Sequence, residues 1–212
     1  MYDKNKETDM GTIIKRTTDP ERAQSRRTQV LDAAAICFAR SGFHGASMAE
    51  ISKQAGMSAG HIYNYFDNKD AIIMAFVAIR VEEVTHKIAN VSQQDDPLAF
   101  MVGQLDDIVD EHLDGAYWGL SLEIFAEAAR NPVIAAALQA ADADARVKLH
   151  ALLARGRAQR GLASDDATIA ARTEAIITMF NGLPLRGLHH PALDRAGMVD
   201  ALGVAMKALL MS

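Results

Sequence analysis

The sequence predicts an all-α protein, with a small N-terminal helix-turn-helix module followed by a larger helical remainder. Three observations carry that prediction. Alanine and methionine are common, β-branched and aromatic runs are scarce, and only five prolines occur among 212 residues, a composition that favours helix. Apolar residues recur at helical spacing along most of the chain. Residues 47–69 carry helix start and stop signals in close succession. Ser47 with Glu50 forms a capping box, Gly56 supplies a stop and Ser58 caps a second short helix of about two turns. Ile51 and Ala55 share one face of the first helix, and Ile62 and Phe66 form the inner face of the second. His61, Asn64 and Tyr65 fall together on the opposite face, flanked by Ala59 and Tyr63. Two short helices joined by a glycine turn, with polar and aromatic groups outward, are a helix-turn-helix, which can place its second helix in a DNA major groove.

Charge is divided unevenly. Residues 1–80 hold 11 Lys/Arg against 9 Asp/Glu, and residues 81–212 hold 11 against 18, within an overall charge of −5. A mildly basic module on an acidic body fits nucleic-acid binding through the module alone and argues against a membrane-surface role. The single cysteine, Cys37, excludes an internal disulfide, fits a reducing cytoplasm and is expected to be a small core residue. No signal-length apolar run or membrane-spanning stretch is present.

In order, residues 1–24 read as a flexible arm. Lys15, Arg16 and Arg22 can brush phosphates there, although a solvated tail is the simpler reading. Residues 25–41 form a helix on Leu31, Ala34, Ala35 and Phe38, ended by Gly42, with Phe43 under the following turn. Arg26 and Arg27 sit at its start, where positive charge opposes the helix dipole and a phosphate partner would be favourable. Asn68 caps a helix running to about Ala89, with a stripe of Ile72, Ile73, Phe76, Ile79, Val84 and Ile88. At about 30 Å it is long enough to leave the small module and enter the rest. Residues 95–113 are expected as one helix, broken by Gly115. A further helix covers 116–130, with Trp118, Leu122, Phe125 and Ala129 on one side. Residues 133–160 form a long helix stopped by Gly161, and 165–182 and 195–211 are the last two, for about nine helices in total.

From Val30 to Ile73 the sequence resembles the N-terminal domain of the TetR family of bacterial transcription regulators. The matching residues are Leu31–Ala34 and Phe38, Gly42–Ser47, Ile51–Gly56, Ser58–Gly60, and Ile62–Phe66 with Lys69. Ser47 stands where the family commonly has Thr, which keeps the hydroxyl, and Tyr65 where it often has His. Leu122–Pro132 resembles the C-terminal domain of one TetR subgroup.

The resemblance implies a DNA-binding domain over 25–72 and a ligand-binding and dimerisation domain over 73–212. It implies a cytoplasmic, ligand-responsive regulator, most simply a repressor on a palindromic operator. The DNA-contact set it implies is Arg26, Arg27, Ser47, Met48, Ser58, Ala59, Gly60, His61, Tyr63, Asn64, Tyr65 and Lys69. Hydroxyls and N–H groups at helix N-termini suit phosphate, Gly60 allows close approach, and Asn64 suits adenine. A homodimer through the last two helices would use Ile169, Thr173, Ile176, Ile177, Phe180, Val199, Leu202, Met206 and Leu209. A small-molecule effector would meet Phe100, Trp118, Leu122, Phe125, Met179 and Phe180, each more simply read as core, together with Glu123 and Glu127, more simply read as solvated charges. Should Glu123 or Glu127 point inward beside Trp118 and Phe125, a lipophilic cation would fit, as in control of an efflux pump. A fatty acyl effector and metabolic target genes are the competing reading.

An enzyme is not expected. His189 and His190 are adjacent rather than spaced as metal ligands, and no phosphate loop, nucleophile elbow or Cys–His pair is evident, so neither catalytic residues nor a cofactor or metal are assigned. A helical interaction protein is the remaining rival. It would not require outward Tyr63, Asn64 and Tyr65.

Overall fold

The computed structural model describes residues 20–162 and 165–212, leaving aside the side chains of residues 116 and 117. The described residues form ten helices: α1 Pro20–Gly45, α2 Met48–Gln54, α3 Ala59–Ile62, α4 Lys69–Ser92, α5 Pro97–Gly103, α6 Leu105–Leu113, α7 Gly115–Ala128, α8 Pro132–Gln159, α9 Asp166–His189 and α10 Arg195–Met211. Among them no helix is long and apolar enough to cross a membrane. The flexible arm expected for residues 1–24 lies, up to residue 19 and including Lys15 and Arg16, outside the described residues. Arg22 belongs to α1, which is already helical at Pro20, the first described residue.

The cap expected at Asn68 forms, and three other helix starts use the same chemistry. Asn68 accepts the Ala71 N–H at 2.8 Å, Asp96 accepts that of Ala99, Asn131 those of Val133 and Ile134, and Asp165 that of Thr168. Each satisfies a donor the first turn leaves without a partner. Gly42 interrupts α1 with φ 69° and ψ 168°, a region that essentially only glycine enters. The interruption swings Phe43 back under the helix, where its ring meets Phe38 edge-on at 5.5 Å.

Three boundaries differ from expectation. Residues 97–113 are two helices, broken at Gln104 after Gly103. The bend lets Leu98 pack on α8 while Leu105 and Val109 turn toward α9 and α10, and all three are buried. The next interruption is the extended Asp114, and Gly115 opens α7 rather than ending α6. Helix α9 runs through Pro184 to His189, because Leu183 and Pro184 are both buried and their packing offsets the lost backbone bond.

The core has two main parts. One gathers Val30, Phe38, Ile51, Ile62, Phe66 and Ile72 from α1 to α4 and is completed by Ile124 of α7 and Ile134 of α8. The DNA-reading module therefore shares its core with the body. The second is built from Leu98, Leu105, Leu152, Leu153, Ile169, Ile176, Met206 and Leu210. Cys37 is fully buried in the first.

Helices α5 and α8 pack closely at Gly156 of α8. A Cβ there would stand 2.7 Å from Leu98 Cγ and 3.3 Å from Pro97 Cγ. Helix propensity alone would reward Gly156→Ala by up to about 1 kcal/mol. The clash with fully buried Leu98 reverses the sign, and a net loss of ~1–2 kcal/mol is expected in urea unfolding.

Candidate nucleic-acid interface

The capping box of α2 is complete. Glu50 N–H donates to Ser47 Oγ at 3.2 Å, and the Ser47 N–H and hydroxyl donate to Glu50 Oε2 at 2.9 and 3.0 Å. Those hydrogen bonds hold the Glu50 carboxyl below its usual range. Gly56, at φ 63°, turns the chain into α3. This helix is one turn long, not two, and tightens beyond Ile62 into further turns closed by Tyr65 N–H to Ile62 O at 3.0 Å and Phe66 N–H to Ile62 O at 3.1 Å. Ile62 and Phe66 are buried as anticipated.

The outward face divides in two. Ser58, Ala59, Gly60, His61, Tyr63 and Asn64 are exposed. Ser58 makes no side-chain capping bond, so its hydroxyl stands at a helix start ready for a phosphate oxygen. Nothing lies within 4 Å of where a Gly60 Cβ would be, so nothing inside this chain requires glycine there. Tyr63 is 51% exposed. His61 organises the rest: Nδ1 stands 3.3 Å from the Asn64 amide and Nε2 3.4 Å from the Tyr65 hydroxyl, the Tyr65 ring lying edge-on at 5.3 Å. These contacts order Asn64 and Tyr65 before any ligand arrives.

The remaining candidates are tied inward. Arg27 donates to Tyr65 O at 2.8 Å and stacks on Phe66 at 4.3 Å, so it braces the end of the recognition segment instead of reaching the flanking backbone. Lys69 was expected beside a phosphate. Its ammonium instead donates to Phe43 O and Ala46 O, both at 2.7 Å, and lies 4.7 Å from the Phe43 ring centroid. Met48 is half-buried against the module's core. Arg26 is exposed and donates to Gln29 at 2.7 Å. Sequence reasoning missed Gln29, which donates to Ala55 O at 2.6 Å and so closes the end of α2. No spacing rule identifies such a bond between residues 26 apart.

Lys69→Met separates the two roles. The loss of charge-assisted bonds to carbonyl oxygens is expected to cost ~1.5–3 kcal/mol of stability. The slope of log K against log salt for DNA binding should stay unchanged, whereas a phosphate ligand would reduce it by about one for each copy of the residue lost.

The expected effector residues do not form one site. Trp118 is buried, with the His112 ring 5.0 Å away and the Arg80 guanidinium 4.8 Å over it, and Phe180 lies 5.6 Å beyond His112. His112 donates from Nδ1 to Ile108 O at 2.7 Å, and burial pushes its pKa down. Glu123 and Glu127 point elsewhere: Glu123 Oε2 accepts the Phe43 N–H at 3.0 Å, and Glu127 Oε2 pairs with His44 Nε2 at 2.8 Å. Phe125 is 48% exposed. Leu122 and Phe100 are half-buried, and Met179 packs with Phe180 in the body's core. Two open concavities of about 550 and 590 Å³ lie where α8 meets α9, the first lined in part by Arg157 and Arg172, the second by His150 and Ile169, and none of the eight candidates lines either.

The expected dimer stripe is also redirected. Ile169, Thr173, Ile176, Leu202 and Met206 are buried within the chain itself. Phe180, Val199 and Leu209 are half-buried against that core, and Ile177 is half-buried. The helical period of both helices is therefore spent largely on the chain's own core. Exposed residues on α9 and α10 include Ala170, Ala171, Glu174, Thr178, Leu185, Leu188, Asp200, Ala201, Val204, Lys207 and Ala208.

Comparison with known proteins accords with this geometry. Residues 30–76 match the family described as bacterial regulatory proteins, tetR family, and residues 103–210 match the BetI-type transcriptional repressor C-terminal domain. The HTH-type transcriptional regulator UidR of Escherichia coli K12 is 34% identical over 118 residues, 55% of this chain and 59% of UidR, so the match spans under two thirds of that relative. Salmonella enterica GusR superposes with a TM-score of 0.74 at 25% identity, covering 92% of this chain and 99% of GusR. The Bacillus subtilis regulator FadR, solved in complex with stearoyl-CoA, shares the fold at a TM-score of 0.64 and 17% identity, covering 87% of this chain and 97% of FadR. Regulators of this kind bind operator DNA and small-molecule ligands, form dimers and are not enzymes. The chain belongs to the TetR family of bacterial regulatory proteins and is a DNA-binding transcriptional regulator.

Proposed function

We propose that the protein is a homodimeric repressor that leaves a palindromic operator when a small hydrophobic effector enters its helical body. The observation that carries this is the ordered but exposed set Ser58, Gly60, His61, Tyr63 and Asn64 on a core-anchored turn. Ser58 and the amides after it suit phosphate, Tyr63 a phosphate or thymine methyl, and His61 and Asn64 base edges. Arg26 adds a flanking charge. Two such modules related by a two-fold axis read half-sites separated by whole or near-whole turns. For the dimer we assign the exposed faces of α9 and α10, centred on Leu185 and Val204, because the opposite faces are used up within the chain.

For the effector, the cluster of Trp118, His112 and Phe180 is the candidate contact. The indole face that a lipophilic cation would need already carries Arg80, and Glu123 and Glu127 are engaged by α1. Both facts favour a neutral or anionic hydrophobic effector, such as a fatty acyl compound, over a quaternary ammonium ion. They put metabolic genes ahead of an efflux pump as targets. Trp118 is the only tryptophan, so its fluorescence reports the site directly. Titration with a fatty acyl ligand should shift its emission and release DNA in a gel shift, and a quaternary ammonium compound should do neither. A response to the cation alone would reverse the assignment.

A further inference from the structure

We infer that Glu123 and Glu127 are positioning residues that couple α7 to the DNA-reading module through residues 42–46; this rests on the regulator reading above. The argument begins with the break in α1. At Gly42 the backbone leaves the helix, which frees the Phe43 N–H from the ladder, and Glu123 Oε2 accepts it at 3.0 Å. One turn along the same helix, Glu127 pairs with His44 at 2.8 Å. The Glu127 side chain is 7% exposed and that of His44 is 66% exposed, so the pair is anchored from the α7 side. Residues i and i+4 stand above one another on a helix, and both carboxylates therefore bear on two consecutive residues of one turn.

The opposite side of that turn is held as well. Lys69, the first residue of α4, donates to the Phe43 and Ala46 carbonyls. Residues 43–46 are thus gripped on their N–H side by α7 and on their C=O side by α4. Directly after them comes Ser47, the cap of α2, so displacement of this turn displaces the start of the helix-turn-helix.

Helix α7 also reaches the other way. Trp118 in its first turn meets the His112 ring, which in turn meets Phe180 in the body, while Leu120 and Ile124 pack into the module's core. One uninterrupted 14-residue helix therefore touches the candidate effector cluster at one end and the turn before α2 at the other. A helix of that length moves as a rod of about 21 Å. What tilts it at Trp118 must move or break the contacts made by Glu123 and Glu127. Linkage is reciprocal: if α7 biases DNA binding, DNA binding must alter α7.

That reciprocity allows a test in which the effector is not needed. The full chain selects a duplex from a random pool. Hydrogen exchange of the α7 amides is then followed with and without that duplex in the wild type, in Glu123→Ala/Glu127→Ala and in Glu123→Gln/Glu127→Gln. The wild type should slow several-fold across residues 120–128 on binding. The alanine pair should lose this response and change duplex affinity by about tenfold, a size typical of coupling between sites. The glutamine pair should restore most of it, since its amide oxygens still accept from Phe43 N–H and His44. Should the alanine pair fail to fold, His44→Ala removes one link from its exposed side and should weaken the response. An α7 response identical in all folded variants overturns the inference. Selection of no duplex by the wild type overturns the regulator reading and the inference with it.

Discussion

Tyr63→Ala should weaken operator binding about 30- to 1,000-fold while leaving thermal unfolding nearly unchanged. The side chain is half exposed and stands outside the module's core, so its removal should alter stability by no more than ~0.5 kcal/mol. On DNA its hydroxyl would donate to a phosphate or its ring would lie on a thymine methyl, worth ~1–2 kcal/mol. A two-fold dimer makes the contact twice, so the loss doubles to ~2–4 kcal/mol, which converts to the stated range. A gel shift or anisotropy titration at fixed salt measures it, with circular dichroism as the folding control. An unfolded variant would place Tyr63 in the core. Unchanged affinity would remove it from the interface.

Ile176→Asp and Val204→Asp should fail in different ways. Ile176 is 2% exposed and Val204 72% exposed, although both lie on helices expected to meet the second subunit. At Ile176 the substitution forfeits ~2–5 kcal/mol of packing and also places a carboxylate among Leu152, Leu153 and Met206, which adds several more. The sum rivals the whole stability of a typical domain, and the variant should be unfolded or insoluble. Val204→Asp alters no internal contact of this size and should yield a folded monomer by sedimentation or light scattering. Since half-site binding is far weaker than dimer binding, DNA affinity should fall with it. A dimeric Val204→Asp would put the interface elsewhere, and a folded, monomeric Ile176→Asp would return it to the originally expected stripe.

Several features were legible because they are local. Ser47 and Glu50 are three residues apart, as are Asn68 and Ala71, and helix starts are governed by contacts of that range. Gly42, Gly56 and Gly161 all take positive φ, a preference written in the residue itself. The break at Gln104 was not legible, because tertiary packing selects it: Leu98 sits against Gly156 of α8, whereas Val109 beyond the bend clusters with Leu183 and Leu202. The same holds for Pro184, whose burial outweighs a local penalty.

The functional residues divide along the same line. By itself the sequence determined the all-helical class, the helix-turn-helix with Ile62 and Phe66 inward, and the exposed residues of the recognition turn, since helical period and capping depend on neighbours only. Tertiary structure alone decided which outward charges are committed. Lys69 and Arg27 belong to carbonyls 23 to 38 residues away, and Glu123 and Glu127 to a turn far earlier in the chain, 80 residues before Glu123. It also decided which face of α9 and α10 is core. A period marks where a stripe lies but carries no label for the surface that covers it; that label comes only when distant elements compete to bury it.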